Sequence, residues 1–343
     1  MMISKKRLLI FLFLVFICSA SKQLYANTLK LKLMWILNDQ YAGEIIALTK
    51  GWYKEAGVNV KLLPYKSNTP DPYTAVINGG ADVGISETLE LLRRSIKDGS
   101  DIVIFGLKDQ ISPAGFMALS INNISAPGDL GKKTFGFYDD GNIEILRWYS
   151  EKHNIDYSSI KVRRLLPDDM RPLTEGKVDF IIAHETNEPI ILKLNGYRTV
   201  FFPLSGPEGL HFGPAFFCRR SYYEKNKKQL IKFIEATIRG WRFALRHPEE
   251  VADVILRSFP QDHFINGSKD ITRKKFVKSL DIKRHYMTYK VGMDCIGCMT
   301  KNYWELVRER LISDGVIADD TNILDYVEFD ASRRLIRTSK DKI

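Results

Sequence analysis

The chain has 343 residues, a formal net charge of +10 and 27% charged residues. That length is enough for two domains, each with a hydrophobic core of its own. Basic residues occur in pairs such as Arg163-Arg164 and are mixed with acidic ones, with little aromatic interleaving. Grooves that bind nucleic acid combine a basic stripe with stacking aromatics, so we expect no nucleic-acid partner.

The N-terminal segment, residues 1–26, has the features of a cleavable secretory signal peptide. Three basic residues precede an unbroken apolar run at 8–18, and Ala26 is a small residue suited to cleavage. The run is shorter than the roughly 20 residues of a membrane span, and Ile17 is not the small residue expected before a lipid-modified Cys18. Removing four basic residues with this segment lowers the charge from +10 to +6. We therefore expect a soluble protein exported to the periplasm.

Residues 29–63 have the pattern of a strand, a loop, a helix and a second strand. Leucine alternates with lysine at the start of this stretch, the period of two that a strand with one buried face requires. The loop after the first strand carries Trp35, Asn38 and Tyr41. Ligands of open α/β sheets bind at the carboxyl ends of strands, so we predict that this loop forms one wall of a small-molecule site. Core packing for Trp35, a rim position for Tyr41 and helix capping for Asn38 are the alternative roles.

A second βα unit follows and ends its strand in polar residues. Residues 81–85 are small and β-branched, and Ser86 and Glu87 come directly after them. Both are predicted ligand-binding residues. An alternative, compatible role is that Ser86 caps the next helix and Glu87 lies in its first turn. The apolar run at 102–107 is typical of a strand covered on both faces.

The βα alternation begins anew in the middle of the chain, over about residues 122–212. Its loops offer Tyr138 and Asp139 after one strand, and Glu185, Asn187 and Glu188 after another. We predict that these side chains form the opposite wall of the site. The macrodipole alone also favours Glu188 at the start of a helix.

The two sets of units predict an α/β protein with two Rossmann-like lobes, largely parallel sheets and a cleft that closes by hinge motion. The expected division is residues 27–118 for the first part of lobe I and 119–212 for lobe II. Residues 213–343 would complete lobe I and add a helical C-terminal extension. Hinge crossovers are expected near 118–122 and 212–217.

Three cysteines remain after export: Cys218, Cys295 and Cys298. The Cys295/Cys298 pair is predicted to form a local disulfide or to remain as two thiols, with redox or metal chemistry as the alternative. No histidine stands at the spacing of a standard zinc site. No nucleophile–base–acid arrangement is apparent, so we expect neither a catalytic residue nor a metal.

Six segments carry a resemblance to a known family by their shared order and spacing. They are W-x-x-N-x-x-Y-x-G at 35–43, KGWYKEAGVNV at 50–60, NGGADVGISE at 78–87, EGKVDFII at 175–182, NEPIILKLNGY at 187–197 and GWRFALRHPEE at 240–250. The chain resembles the NMT1/THI5-like periplasmic substrate-binding proteins, of the SsuA/ThiY type, over about residues 29–258.

The resemblance implies a type II periplasmic binding protein that serves an ABC permease in the inner membrane. In the branch that binds thiamine precursors, aromatic residues sandwich a pyrimidine and a carboxylate bonds its amino group. Trp35, Tyr41 and Glu188 match those positions.

The acidic second-lobe loops argue against sulfonate, nitrate or phosphate, which prefer Arg and helix N-termini. We therefore expect a monomer that binds an aminopyrimidine-like ligand.

The same family includes a fungal pyrimidine synthase, which uses a lysine in the turn after the third strand. Ser86 stands at that position, Tyr41 replaces the family's histidine, and only Cys218 lies near its cysteine-rich run. A Schiff base needs a lysine amine, so we expect a protein without enzymatic activity or cofactor. An extracytoplasmic sensor subunit of the same fold is the alternative function, which neighbouring genes would distinguish.

Overall fold

The computed structural model describes residues 28–166, 169–205, 211–258 and 264–340, so the predicted signal peptide lies outside the described residues. The strands are β1 (Leu29–Lys32), β2 (Val60–Leu63), β3 (Val83–Glu87), β4 (Ile102–Leu107), β5 (Ala114–Leu119), β6 (Thr134–Phe137), β7 (Lys161–Arg164), β8 (Phe180–His184), β9 (Thr199–Pro203) and β10 (Pro214–Arg219). The helices are α1 (Ala42–Thr49), α2 (Trp52–Glu55), α3 (Pro72–Ile77), α4 (Thr88–Asp98), α5 (Asp140–Lys152), α6 (Arg171–Thr174), α7 (Glu188–Leu194), α8 (Arg220–Arg246), α9 (Pro248–Ser258), α10 (Lys269–Thr288), α11 (Lys301–Ser313) and α12 (Asp330–Lys340).

The strands form two five-stranded sheets with the same plan. The first has the order β2-β1-β3-β10-β4 and the second the order β7-β6-β8-β5-β9. In each sheet a single strand, β10 or β5, runs antiparallel to both of its neighbours. The other strands follow the parallel βαβ pattern that the sequence predicts. We call the first sheet with its helices the first lobe, and the second sheet with its helices the second lobe.

The chain crosses between the lobes at residues 108–113 and again between β9 and β10, where the described residues 204–205 and 211–213 lie beside the first crossing. Ile111 and Phe212 form an antiparallel bridge, and the hydroxyl of Ser205 donates to the carbonyl of Ser112 at 2.7 Å. A Cβ on Gly213 would lie 2.4 Å from the carbonyl oxygen of Asp109, so only glycine permits this close approach.

These crossings differ from the expected hinge positions at 118–122 and 212–217. The apolar run at 114–119 is buried along its whole length because it is β5, a strand of the second sheet, and not a linker. Likewise β10, which covers 214–219, already pairs within the first sheet. We therefore propose lobe boundaries near residues 113 and 213.

The C-terminal region is helical and mostly completes the first lobe. Trp304 and Leu311 of α11 are fully buried in one cluster with Leu92 and Ile104. The last thirty residues, although poorly patterned in sequence, include helix α12, whose Leu335 packs into the core of the first lobe. This region thus contributes buried side chains to the hydrophobic core of the first lobe.

The same region also reaches the second lobe. The guanidinium of Arg310 lies 4.1 Å from the ring centroid of Trp148 in α5. The side-chain amide of Asn266 donates to Asn195, after α7, at 2.9 Å. The C-terminal region therefore spans the side of the interlobe cleft.

Cys295 and Cys298 form a disulfide, with their Cα atoms 5.2 Å apart. The loop between them packs on the end of β4 and on the first crossing segment. Its Gly297 carbonyl accepts from the Leu107 amide at 3.3 Å, and the Cys298 carbonyl accepts from the side chain of Gln110 at 2.9 Å. The disulfide loop of the C-terminal region thus contacts the hinge and supports it.

Within the described ranges, no helix combines the length and the apolar character required to cross a membrane.

Candidate functional site

A cavity of about 410 Å³ lies between the two lobes, and residues from both line it. The first lobe contributes the loops that follow β1 and β4 and the last residue of β3, Glu87, and the second lobe contributes the loops that follow β6 and β8. Seven of the ten predicted site residues line this cavity: Trp35, Tyr41, Glu87, Tyr138, Asp139, Asn187 and Glu188. They meet because the carboxyl ends of parallel strands in both sheets face the same cleft.

Trp35 forms the aromatic face of the first-lobe wall. Its ring stacks on Tyr65, with 5.0 Å between centroids and 15° between planes. Its backbone amide donates to the hydroxyl of Tyr41 at 2.9 Å. Tyr41 is 2% exposed, and burial raises the pKa of its hydroxyl, which therefore stays protonated. Tyr41 thus lines the cavity and also fixes the backbone of the stacking residue.

Asn38 lies outside the main cavity, and it caps the turn before α1 rather than α1 itself, whose N-cap is Tyr41. It caps the 3₁₀ turn Asp39–Tyr41, where its side chain accepts from the Gln40 amide at 3.0 Å. It lines a smaller cavity beside the main one.

Ser86 does not line the cavity either. It pairs with Ala215 inside the first sheet, because β3 extends to Glu87. The N-cap of α4 is Glu87, and its side chain makes no capping hydrogen bond. The proposed capping role of Ser86 is therefore wrong.

Glu87 is the most perturbed carboxyl group of the cavity. Burial, together with the nearby Asp109 carboxylate, raises its pKa to about 8, and Lys283 offsets only part of this. Its Oε2 atom is buried and has no hydrogen-bond partner among the described residues. A protonated carboxyl group that lacks a partner can donate a hydrogen bond to a ligand or accept one from it.

The second-lobe wall is held by hydrogen bonds within its own loops. Asp139 caps α5 by accepting from the Asn142 amide at 3.1 Å, and Asn142 in turn accepts from the Tyr138 amide at 3.0 Å. Glu188 accepts from the His184 amide at 2.7 Å and from the side chain of Asn187 at 3.0 Å. These bonds fix the loops in place.

Glu185 does not line the cavity. Its carboxylate accepts a hydrogen bond from the hydroxyl of Tyr286 in α10. The loop turns Glu185 away from the cleft, toward the C-terminal region.

Two lysines that the sequence did not single out also line the cavity. Lys108 donates to the carbonyl of Gln40 at 2.6 Å and to Glu44 at 3.2 Å. Its ammonium also lies 4.3 Å from the ring centroid of Trp241. Burial is the main cause that lowers the pKa of Lys108, and Glu44 opposes it. The position of Lys108 directly after the apolar strand β4 is the signal that could have found it.

Lys283 reaches the cavity from α10 and pairs with Asp109. Its Nζ lies 2.5 Å from Asp109 Oδ2, and both side chains are at least 93% buried. The second oxygen of Asp109 is buried without a partner among the described residues. No local pattern in the sequence connects Lys283 with the cleft, because the contact joins positions 174 residues apart.

The cavity is also lined by two histidines, His184 and His211. Burial lowers the pKa of His211 to about 4, helped by Arg310 and His184, and it also lowers the pKa of His184. Besides Glu87 and the histidines, the acidic and basic side chains of the lining are Asp109, Asp139 and Glu188, and two lysines, each of which is bonded to a carboxylate.

Comparison with known proteins gives relatives of both binding and catalytic function. The formylaminopyrimidine-binding protein of Halalkalibacterium halodurans is 22% identical over 250 residues, which cover 72% of this chain and 75% of that protein. The 4-amino-5-hydroxymethyl-2-methylpyrimidine phosphate synthase of Legionella pneumophila is 23% identical over 237 residues, covering 67% and 73%.

Comparison of structures confirms the predicted type II periplasmic binding protein fold. The periplasmic aliphatic sulphonate binding protein SsuA from Escherichia coli superposes with a TM-score of 0.65 at 13% identity. The match covers 88% of this chain and 92% of that one. The sequence model of the family described as NMT1/THI5 like matches residues 38–251, which is more than half of the chain. The chain therefore belongs to the NMT1/THI5-like family.

Proposed function

We propose that this protein is a solute-binding protein of an ABC import system, which closes its two lobes on a small heterocycle that carries an amino group. A thiamine pyrimidine precursor is the leading candidate. The observation that carries the proposal is the interlobe cavity of about 410 Å³, in which the stacking ring of Trp35 faces loops rich in carboxylates. Small-molecule sites are typically 300–1,000 Å³ in volume and combine an apolar lining with a few convergent polar groups.

The ligand class follows from the chemistry of the lining. A planar ring stacks well on tryptophan, and amino groups of a heterocycle donate to carboxylates. Asp109, Asp139 and Glu188 are such acceptors, while Glu87 adds a neutral carboxyl group. No arginine lines the main cavity among the described residues, and the two lysines there already bond to Glu44 and Asp109. The relative from Halalkalibacterium halodurans, named for binding a formylaminopyrimidine, supports the same ligand class.

The cavity lysines favour binding over catalysis. A relative is named as a pyrimidine phosphate synthase, and a catalytic lysine would need a neutral amine that can reach the substrate. Burial lowers the pKa of Lys108, which favours the neutral amine, but its Nζ is bonded to the Gln40 carbonyl and to Glu44. Lys283 is paired with Asp109. Both ammonium groups thus have structural partners. We propose a periplasmic location, from the signal-peptide pattern at 1–26, and a membrane permease as the partner.

Two measurements test the proposal. Native mass spectrometry of protein purified from its own host should reveal a bound small molecule with the mass of an amino-substituted heterocycle. Titration calorimetry against aminopyrimidines, amines, sulfonates and nitrate should show binding to the first class. No heat with any aminopyrimidine, together with binding to a sulfonate, would overturn the proposed ligand class.

The role of Trp35 is tested by fluorescence. Trp35→Phe should abolish the ligand-induced quenching of tryptophan emission, whereas Trp52→Phe should preserve it. Trp52 is the matched control because it packs on Phe243 and lies outside the cavity. Trp35→Ala should weaken binding by about 5- to 150-fold, since stacking of a ring on an aromatic side chain contributes about 1–3 kcal/mol.

A further inference from the structure

A second cavity of about 180 Å³ lies beside the main one. Trp35, Asn187 and Glu188 line both cavities, so these three side chains stand at the boundary between them. The second cavity is otherwise lined mainly by apolar side chains, namely Ile36, Met170, Ile191, Ile265 and Phe276. Five of the eight residues that line only the second cavity are thus apolar.

The polar groups of the second cavity are already bonded within the protein. Lys275 donates to both carboxylate oxygens of Asp39, at 2.8 and 2.9 Å. The hydroxyl of Thr272 donates to the Ser268 carbonyl at 2.8 Å and accepts from the Ile265 amide at 2.9 Å. Since these groups have partners, an occupant does not need to supply hydrogen bonds to them.

The wall formed by Ile265, Thr272, Lys275 and Phe276 comes from α10 and the turn before it. This part of the chain lies outside the residues that the family model matches, which end at 251. The buried pair Lys275–Asp39 fastens α10 to the turn after β1, next to Trp35. The C-terminal region thus closes the side of the cleft and creates the second cavity there.

We propose that the second cavity takes an apolar substituent of the ligand whose ring lies on Trp35. The substrate class is then an amino-substituted heterocycle with a short alkyl or aryl group, and not the bare ring. This inference rests on the proposed function and specifies its ligand. The volume suffices, because an apolar cavity of about 150 Å³ is large enough to bind benzene.

The test uses the full-length mature protein and a series of 4-amino-2-methylpyrimidines with a methyl, propyl or pentyl group at position 5. Titration calorimetry should show Kd falling by about two- to fourfold per added methylene, as expected for burial of each CH₂. Ile191→Phe and Ile36→Phe fill the second cavity from two different elements, and both should flatten this dependence on chain length. Ile121→Phe is the matched control, because Ile121 is 80% exposed and lines neither cavity.

The possible outcomes separate this inference from the proposed function. If the methyl compound binds but longer chains give no gain, the inference is overturned and the proposed function stands. An equal gain in the wild type and in both filled variants would also overturn it, because the substituent would then lie elsewhere. If no member of the series binds, the proposed ligand class fails as well.

Discussion

The hydroxyl of Tyr286, in helix α10, donates a hydrogen bond to Glu185, which follows β8 in the second lobe. The carbonyl of Tyr286 also accepts from the Gln110 amide at 2.9 Å, in the first crossing segment. Burial and the Glu185 carboxylate raise the pKa of Tyr286, so its hydroxyl keeps its proton at neutral pH. One residue of the C-terminal region therefore connects the hinge with the second lobe.

Tyr286→Phe should weaken ligand binding. A hydrogen bond to a charged group contributes about 1.5–3 kcal/mol, and partial exposure of Glu185 reduces this, so we expect Kd to rise about three- to tenfold. Titration calorimetry measures the change. Tyr289→Phe, a nearby change whose ring contacts His285, is the control and should bind as the wild type does. Unchanged affinity in Tyr286→Phe would show that the bond does not stabilise the ligand-bound arrangement.

Glu87 should make the stability of the protein depend on pH. Its folded-state pKa of about 8 lies above the ordinary value of 4.5, so between these values only the folded state holds the proton. The free energy of unfolding should therefore fall as pH rises from 5 to 8, with a slope of up to about 1.4 kcal/mol per pH unit. Glu87→Gln should flatten this fall, as measured by urea unfolding at several pH values.

Glu305→Gln is the control for that experiment, because Glu305 is exposed on α11. It should reproduce the wild-type dependence on pH. A wild-type slope that Glu87→Gln leaves intact would assign the titration to another group.

The buried pair of Lys283 and Asp109 should show strong coupling in unfolding experiments. Lys283→Met leaves the buried Asp109 carboxylate without its partner, which costs about 3–5 kcal/mol for buried pairs of this kind. The double variant with Asp109→Asn should recover a large part of that loss, because no uncompensated charge remains. Urea unfolding of the wild type, both single variants and the double variant gives the coupling energy. If the free-energy losses of the two single variants simply add in the double variant, the two residues are not coupled and the prediction is wrong.

The Cys295–Cys298 disulfide should stabilise the protein modestly. It closes a loop with a sequence separation of 3, for which the chain-entropy account gives about 2 kcal/mol. The double variant Cys295→Ser/Cys298→Ser should melt a few degrees lower than the wild type, and its melting temperature should not respond to a reducing agent. The wild type should approach the variant when reduced. Cys218→Ser, at the buried free cysteine, serves as the control for the response to reductant.

The local patterns of the chain were sufficient to predict many of the side chains that line the interlobe cavity. Trp35 and Tyr41 follow a strand with an alternating pattern, and Tyr138 and Glu188 lie in loops after two later strands. Because strand ends in parallel sheets share one edge, their positions in sequence indicated that they face a common cleft. The same local reasoning did not identify residues 114–119 as strand β5, because an extended apolar segment has the same sequence pattern in a hinge as in a strand.

The sequence by itself determined the two βαβ sets, the family and the aromatic and acidic loops, because these depend on residue order over short distances. The tertiary structure decided which side chains meet across the chain. Lys283 reaches Asp109 over 174 residues, and Tyr286 reaches Glu185 across the lobes. Only three-dimensional packing sets the burial that raises the pKa of Glu87, as well as the second cavity beside Trp35. Such contacts depend on how helices dock on the sheets, which no local pattern of residues encodes.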